Sequence, residues 1–268
     1  MLQDIASPAN PAIKLLKSLH AKKSRIETGL FLAEGARLAA EAAELGMWPE
    51  ILAVSAAALE RPTVRRLAQE AAAQGARVLR TSEAILSAVS KRDNAQTVIG
   101  AYRQRLTPLA ELPASLRYVA LERIRDPGNL GTILRTADAA GAGGVILLEG
   151  GCDPFSVECV RASMGSIFSE PIARASLAEF DAWRAARGVQ VIGASLNASA
   201  RLAPPGPGPV CLLMGNEQSG LPEELEARCD LLVRLPMAGK ADSLNLAVAT
   251  GIALYGLWGG QDYEGATR

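Results

Sequence analysis

The sequence predicts an α/β protein built in two parts, and three observations predict it. Short apolar runs alternate with helix-period segments along the 268 residues, the pattern of sheets covered by helices. In the second half the apolar runs, such as Val189-Gln-Val-Ile-Gly193 and Val210-Cys-Leu-Leu-Met214, are near-continuous, as in a parallel sheet buried on both faces. Residues 104–116 carry two prolines and no clean period, and read as a linker. The expected domains are 1–103 and 117–268.

In order, Asn10-Pro11 offers a helix cap with proline in the first turn. Ile13, Leu15, Leu16 and Leu19 then form an apolar stripe with lysines on the other face. Phe31–Glu34 reads as a strand, and Gly35–Leu45 as an alanine-rich helix ending at Gly46. Ile51–Ser55 is a strand, Thr63–Gln74 a helix stopped by Gly75, Arg77–Arg80 a strand, and Ser82 the cap of a short helix. Thr97–Tyr102 closes a small β-α-β-α-β domain. The second domain opens with the strand Tyr118–Glu122, a helix through Ala140 and the strand Gly143–Leu148. Helix and strand segments continue through Ala173, and Leu231–Leu235 is a further strand. Pro236 ends it, because proline cannot donate to a ladder. Asp242 or Ser243 then caps an apolar helix, Leu244–Leu257.

Composition excludes several classes. Hydrophobic residues make up 49% of the chain, enough for packed cores, and no run approaches the roughly 18–20 apolar residues of a membrane span. The start, Met-Leu-Gln-Asp-Ile-Ala-Ser-Pro, has no apolar h-region, so a cytoplasmic protein is expected. Cys152, Cys159, Cys211 and Cys229 form no C-x-x-C pair and the one histidine is His20, so neither a metal nor a disulfide framework is expected. The net charge of zero hides a split: residues 1–100 hold 13 Lys and Arg against 10 Asp and Glu. Lys14, Lys17, Lys22, Lys23 and Arg25 follow one another with no acid between them. Such a patch is either a solvated helix face or a nucleic-acid contact.

Three polar blocks sit beside apolar segments of the second domain. Asp126-Pro-Gly-Asn-Leu-Gly131 lies between a strand and a helix that carries Arg135, and strand ends of open parallel sheets are where ligands bind. Met214-Gly-Asn-Glu-Gln-Ser-Gly220 puts the carboxylate of Glu217 straight after a wholly apolar strand, a costly place unless it is paired or working. Leu235-Pro-Met-Ala-Gly-Lys240 leads to Ser243-Leu-Asn245 at the start of the last helix. Taken singly, each block also reads as a turn or a cap. Glycines at 141–144 and 128–131 invite a nucleotide-binding oxidoreductase, but no G-x-G-x-x-G follows the first strand of the second domain, and no Walker A lysine appears.

Together, in order and spacing, the three blocks resemble the signature motifs of the SpoU/TrmH family of RNA ribose 2′-O-methyltransferases, part of the SPOUT superfamily. The likeness spans residues 118–258, and Ile13-Lys14 to Glu34-Gly35 looks like the family's substrate-recognition domain. Two positions depart from the usual motifs: Ala247 stands where a serine is common, and Asn216-Glu217-Gln218 where smaller residues flank the acid.

The resemblance implies a mainly parallel sheet with a deep trefoil knot, a homodimer, and S-adenosyl-L-methionine bound in the knotted loops. It implies that Leu196, Gly215, Leu235 and Leu244 line the adenosine pocket, with Asn216, Met237 and Asn245 nearby. Arg135 is implied as the essential residue at the ribose 2′-hydroxyl, either deprotonated with help from a phosphate or positioning that phosphate. Asn129 and Glu217 would orient Arg135 and the loop, and Ser243 and Asn245 would hold the knot and the nucleotide. Lys14, Lys22, Lys23, Arg25 and Arg161 would contact RNA phosphates. The two-domain layout favours ribosomal RNA as substrate. A tRNA 2′-O-methyltransferase and a non-catalytic RNA-binding assembly factor are the alternatives.

Overall fold

The apolar runs become strands and the periodic segments helices. The computed structural model describes residues 2–94 and 96–258; residues 259–268 of the expected second domain lie outside the described residues. The elements run β1 (Leu2–Ile5), α1 (Pro11–Ser18), α2 (Lys22–Thr28), β2 (Leu30–Glu34), α3 (Ala36–Glu44), β3 (Ile51–Ser55), α4 (Ala56–Leu59), α5 (Pro62–Ala73), β4 (Arg77–Thr81), α6 (Glu83–Ser90) and β5 (Val98–Arg103). A single 3₁₀ turn, Leu109–Glu111, precedes β6 (Arg117–Glu122), α7 (Pro127–Ala139), β7 (Val145–Leu148), α8 (Val157–Ser163), α9 (Ser166–Ser169), β8 (Ile172–Ala175) and α10 (Leu177–Arg187). Last come β9 (Gln190–Ala194), β10 (Ala200–Arg201), β11 (Val210–Met214), α11 (Glu223–Glu226), β12 (Leu231–Arg234) and α12 (Leu246–Trp258).

By packing, the described residues divide into those up to 104 with 153–169, and those of 105–152 with 170 onward. The first unit is a five-stranded mixed sheet, ordered β1-β4-β3-β5-β2. Asn10 caps α1 as its sequence predicts, accepting from the Ala12 amide at 2.9 Å, and the stripe Ile13, Leu16 and Leu19 is fully buried. The segment 153–169, expected in the second domain, belongs here because its large side chains complete this core. Phe155 and Phe168 lie 5.2 and 5.8 Å from the ring of Phe31, and Tyr102 packs edge-on against Phe168.

This unit corrects two of the expected RNA contacts. Arg25 is 4% exposed; its guanidinium pairs with Asp153 at 2.8 Å and donates to the carbonyls of Leu19 and His20. A charge satisfied in this way is a structural member, and removing one partner of such a pair costs roughly 3–5 kcal/mol. Arg161 is likewise committed: its Nη2 lies 2.8 Å from Oε1 of the buried Glu34 and donates to the Ser90 carbonyl. Lys14, Lys22 and Lys23 remain exposed, Lys23 in a 3.8 Å surface pair with Glu27.

The second unit is a seven-stranded sheet in the order β10-β12-β9-β11-β6-β7-β8, with every pairing parallel. The strands β7 and β11 are buried throughout, as the continuous apolar runs require. The expected linker is anchored in this unit: Arg187 donates to the carbonyls of Ala110 and Leu112, and the Tyr118 hydroxyl to that of Pro113. From β6 the chain builds outward through β7 to β8, then returns to place β9, β11 and β12 on the other side. The order therefore reverses between β6 and β11, and the carboxyl ends beside such a reversal form the crevice where ligands bind.

Candidate active site

The loops after β6, β9, β11 and β12 leave the same edge of the parallel sheet, so the polar blocks converge by topology. Asp126 caps α7 by accepting from the Asn129 amide at 2.7 Å. This frees the Asn129 side chain, whose Nδ2 donates to Glu217 Oε1 at 3.2 Å and whose Oδ1 accepts from Asn245 Nδ2 at 2.9 Å. Three loops far apart in sequence are thus tied by one side-chain amide. Asn245, rather than Asp242 or Ser243, caps the last helix: its Oδ1 accepts from the amides of Ala247 and Val248. The helix accordingly starts at Leu246, two residues later than expected.

Glu217 also accepts from the Arg125 and Asp126 amides at 3.2 and 3.1 Å. Partial burial alone would raise its pKa. Hydrogen bonds from its own backbone, the Asn129 side chain and the Asp126 and Arg125 amides outweigh this and hold it below the ordinary glutamate value. The loop holding Glu217 is closed by reciprocal bonds between the backbones of Asn216 and Gly220. Gly215 allows the closure, since a Cβ there would stand 2.0 Å from the Gly220 carbonyl carbon, and Gly220 takes a left-handed φ of 66°. Asn216, which departs from the small residue usual there, has a job in this chain. Its Oδ1 accepts from the Gln218 and Ser219 amides, and its Nδ2 donates to the buried Glu122 at 3.3 Å.

Two neighbouring cavities result. The first, of about 450 Å³, is walled by six of the seven positions expected at the cofactor, Leu196, Gly215, Asn216, Leu235, Met237 and Leu244, with Ser195, Glu226 and Asp242, while the seventh, Asn245, lines the second cavity. Its size is that of a small-molecule site, and its walls combine aliphatic side chains with a few polar groups. The second, of about 410 Å³, is lined by Arg125, Asp126, Asn129, Ser243 and Asn245. Glu217, Gln218, Ser243, Leu244 and Leu246 border both. Arg135 lines neither; it is exposed on α7, and among the described residues it makes no hydrogen bond or ion pair. Asn129 therefore holds Glu217 and Asn245, and neither Asn129 nor Glu217 holds Arg135. Ser195 and Glu226 carry no motif, and nothing in the sequence separates them from ordinary loop residues.

Comparison with known proteins agrees with this geometry. Residues 116–255 match the SpoU rRNA Methylase family, and residues 10–100 the MRM3-like substrate binding domain. The 23S rRNA (guanosine(2553)-2′-O)-methyltransferase RlmP of Bacillus subtilis (strain 168) is 34% identical over 260 residues, 96% of this chain and 100% of that one. An AdoMet-bound rRNA methyltransferase from Sinorhizobium meliloti superposes with a TM-score of 0.90 at 45% identity, covering 97% of this chain and 99% of its own. The SpoU methyltransferase AviRb from Streptomyces viridochromogenes, in complex with AdoMet, gives a TM-score of 0.81 at 28% identity, covering 92% and 96%. With the motif loops joined at one sheet edge and all of them inside the matched residues 116–255, the chain belongs to the SpoU rRNA methylase family.

Proposed function

We propose that this protein transfers a methyl group from S-adenosyl-L-methionine to a ribose 2′-hydroxyl of ribosomal RNA. The observation that carries the reading is the pair of adjoining cavities, one walled by Leu196, Gly215, Asn216, Leu235, Met237 and Leu244, the other by the Asn129–Glu217–Asn245 cluster. The first cavity fits the cofactor: Leu235, Leu244 and Met237 offer apolar surface to a purine, and the turn closed at Gly215 and Gly220 brings backbone close. S-adenosylmethionine supplies a methyl group on a sulfonium that is already a good leaving group. The protein's task is then alignment of the attacking oxygen and disposal of one proton.

Arg135 is the residue for the RNA side. It projects from the helix that begins at Asn129's turn, and its guanidinium is uncommitted among the described residues. Because arginine stays protonated, its role is to hold the phosphate next to the target ribose and favour ionisation of the hydroxyl, not to take the proton. Ser243 borders both cavities and Asn245 lines the second, and they would fix the nucleotide there. Lys14, Lys22 and Lys23 supply salt-sensitive contacts to folded RNA.

The reading includes a homodimer. Val248, Ile252 and Tyr255 are 51%, 46% and 44% exposed along one stripe of α12, an apolar helix face that a second copy would cover. It also includes the trefoil knot, which would bring the loops after β9, β11 and β12 around one cofactor, and an enzyme working in the cytoplasm, where its substrate is. Among the described residues no helix is long and apolar enough to cross a membrane. The test is Arg135→Ala: methyl transfer to ribosomal RNA is lost while S-adenosylhomocysteine affinity stays within about twofold, since uniform binding is untouched. Transfer at the wild-type rate by this variant would return Arg135 to a surface residue.

A further inference from the structure

The first cavity holds a polar pair that no motif includes. Ser195 follows β9 and Glu226 ends α11, 31 residues apart, and both line the cavity. The Ser195 hydroxyl donates to Glu226 Oε1 at 2.5 Å and accepts from the Asn197 amide at 3.1 Å. Its proton and one lone pair are therefore spent, and one lone pair is left over. Among the described residues Ser195 is the one hydrogen-bond partner of the Glu226 side chain, so Oε2 also remains an acceptor. The other glutamate of the wall differs: Glu217 is occupied by the Arg125 and Asp126 amides and the Asn129 side chain.

The pair thus presents two fixed acceptors and no donor. An adenine edge offers a donor beside an acceptor and would match one of them. A vicinal diol offers two donors a bond apart and matches both, and a carboxylate is a strong acceptor for such hydroxyls. We infer that Ser195 and Glu226 form the seat of the cofactor's ribose 2′,3′-diol, making Glu226 a specificity residue for the methyl donor. This rests on the cofactor reading given above.

The test is calorimetric titration of the purified full-length protein with S-adenosylhomocysteine and with its 2′,3′-dideoxy analogue. Glu226→Gln keeps the shape but turns an acceptor into a donor. It should weaken S-adenosylhomocysteine about tenfold, as losing a hydrogen bond to a charged group does, and weaken the dideoxy analogue less than about twofold, since that ligand has no hydroxyl to lose. Ser195→Ala should show the same selectivity with a smaller loss, and it decides the matter if the glutamine variant fails to fold. Equal weakening of both ligands in either folded variant makes the pair a structural brace and overturns the inference. Unchanged affinity for both ligands does so too. If the variants weaken both of these ligands but spare an analogue lacking the adenine amine, the pair belongs to the base instead and the inference is overturned. Failure of the wild-type protein to bind S-adenosylhomocysteine would strike the cofactor reading itself, a separate outcome.

Discussion

Asn129→Asp tests the joint of the site with a change of one atom. The Asn129 Nδ2 that now donates to Glu217 Oε1 at 3.2 Å becomes an oxygen, while the bond accepted from Asn245 can persist. Two carboxylate oxygens then face each other. In water-like dielectric two unit charges at this spacing repel by about 1.3 kcal/mol, and the lost hydrogen bond costs about 1 kcal/mol more. The site is open to solvent, so the low dielectric values that would multiply the repulsion do not apply. Together this is about 2 kcal/mol against the joined arrangement, or up to about a 30-fold fall in kcat/KM for methyl transfer. Asn129→Ala removes the bonds without the repulsion and should lose about 5-fold. The assay is tritiated methyl transfer to ribosomal RNA, with S-adenosylhomocysteine titrations from pH 5 to 7.5 alongside. The excess penalty of the aspartate variant is present when both carboxyls are ionised and fades as pH falls and one takes a proton. If the two variants behave alike at every pH, Glu217 is not the neighbour of this side chain and the joint is wrongly drawn.

Three further outcomes are expected. Reversing Lys22 and Lys23 to glutamate should weaken RNA binding at least tenfold at moderate salt and flatten its salt dependence, with S-adenosylhomocysteine affinity unchanged by calorimetry. Glu170 is buried with Oε1 unpartnered, and burial, helped by Asp138, pushes its pKa up to about 9. A carboxyl whose pKa is raised in the folded state gives stability that is full below the unfolded pKa and is lost as pH rises from there through the folded value. Glu170→Gln should therefore stabilise the protein by about 2–4 kcal/mol at pH 7.5 and change little at pH 4.5, as read from melting temperature against pH. Ile252→Glu, on the exposed stripe of α12, should convert a dimer to a monomer in light scattering behind size exclusion, while the monomer keeps its circular dichroism.

Much of the fold was legible because burial leaves a mark in sequence. The strands β3, β6, β7 and β11 are buried almost end to end, and each stands out as an apolar run. What escaped lacked that mark. The strand β1 is an exposed edge with no alternation, and the one buried residue of α2 is an arginine, so neither shows a hydrophobic period. Arg25 looked like part of the basic patch because charge is visible in sequence and its partner Asp153, 128 positions away, is not. The motif loops could be read as one site since glycines and an acid beside buried strands are unusual. Their actual linkage through Asn129 could not, because an asparagine at a helix start reads first as a cap. Ser195 and Glu226 are ordinary residues made distinctive only by a fold that sets them 2.5 Å apart.

The segment 153–169 has a consequence for how such a protein can be assembled or divided. The first unit is not a continuous stretch of gene. Its aromatic core takes Phe155 and Phe168, and its buried guanidinium of Arg25 takes Asp153, from a stretch encoded between β7 and β8. A unit built in this way cannot be exchanged whole by recombination at one junction near residue 104. Cut there alone, it would leave Arg25 without its counter-charge and Phe31 without its neighbours. Exchange of the whole unit requires two coordinated crossovers.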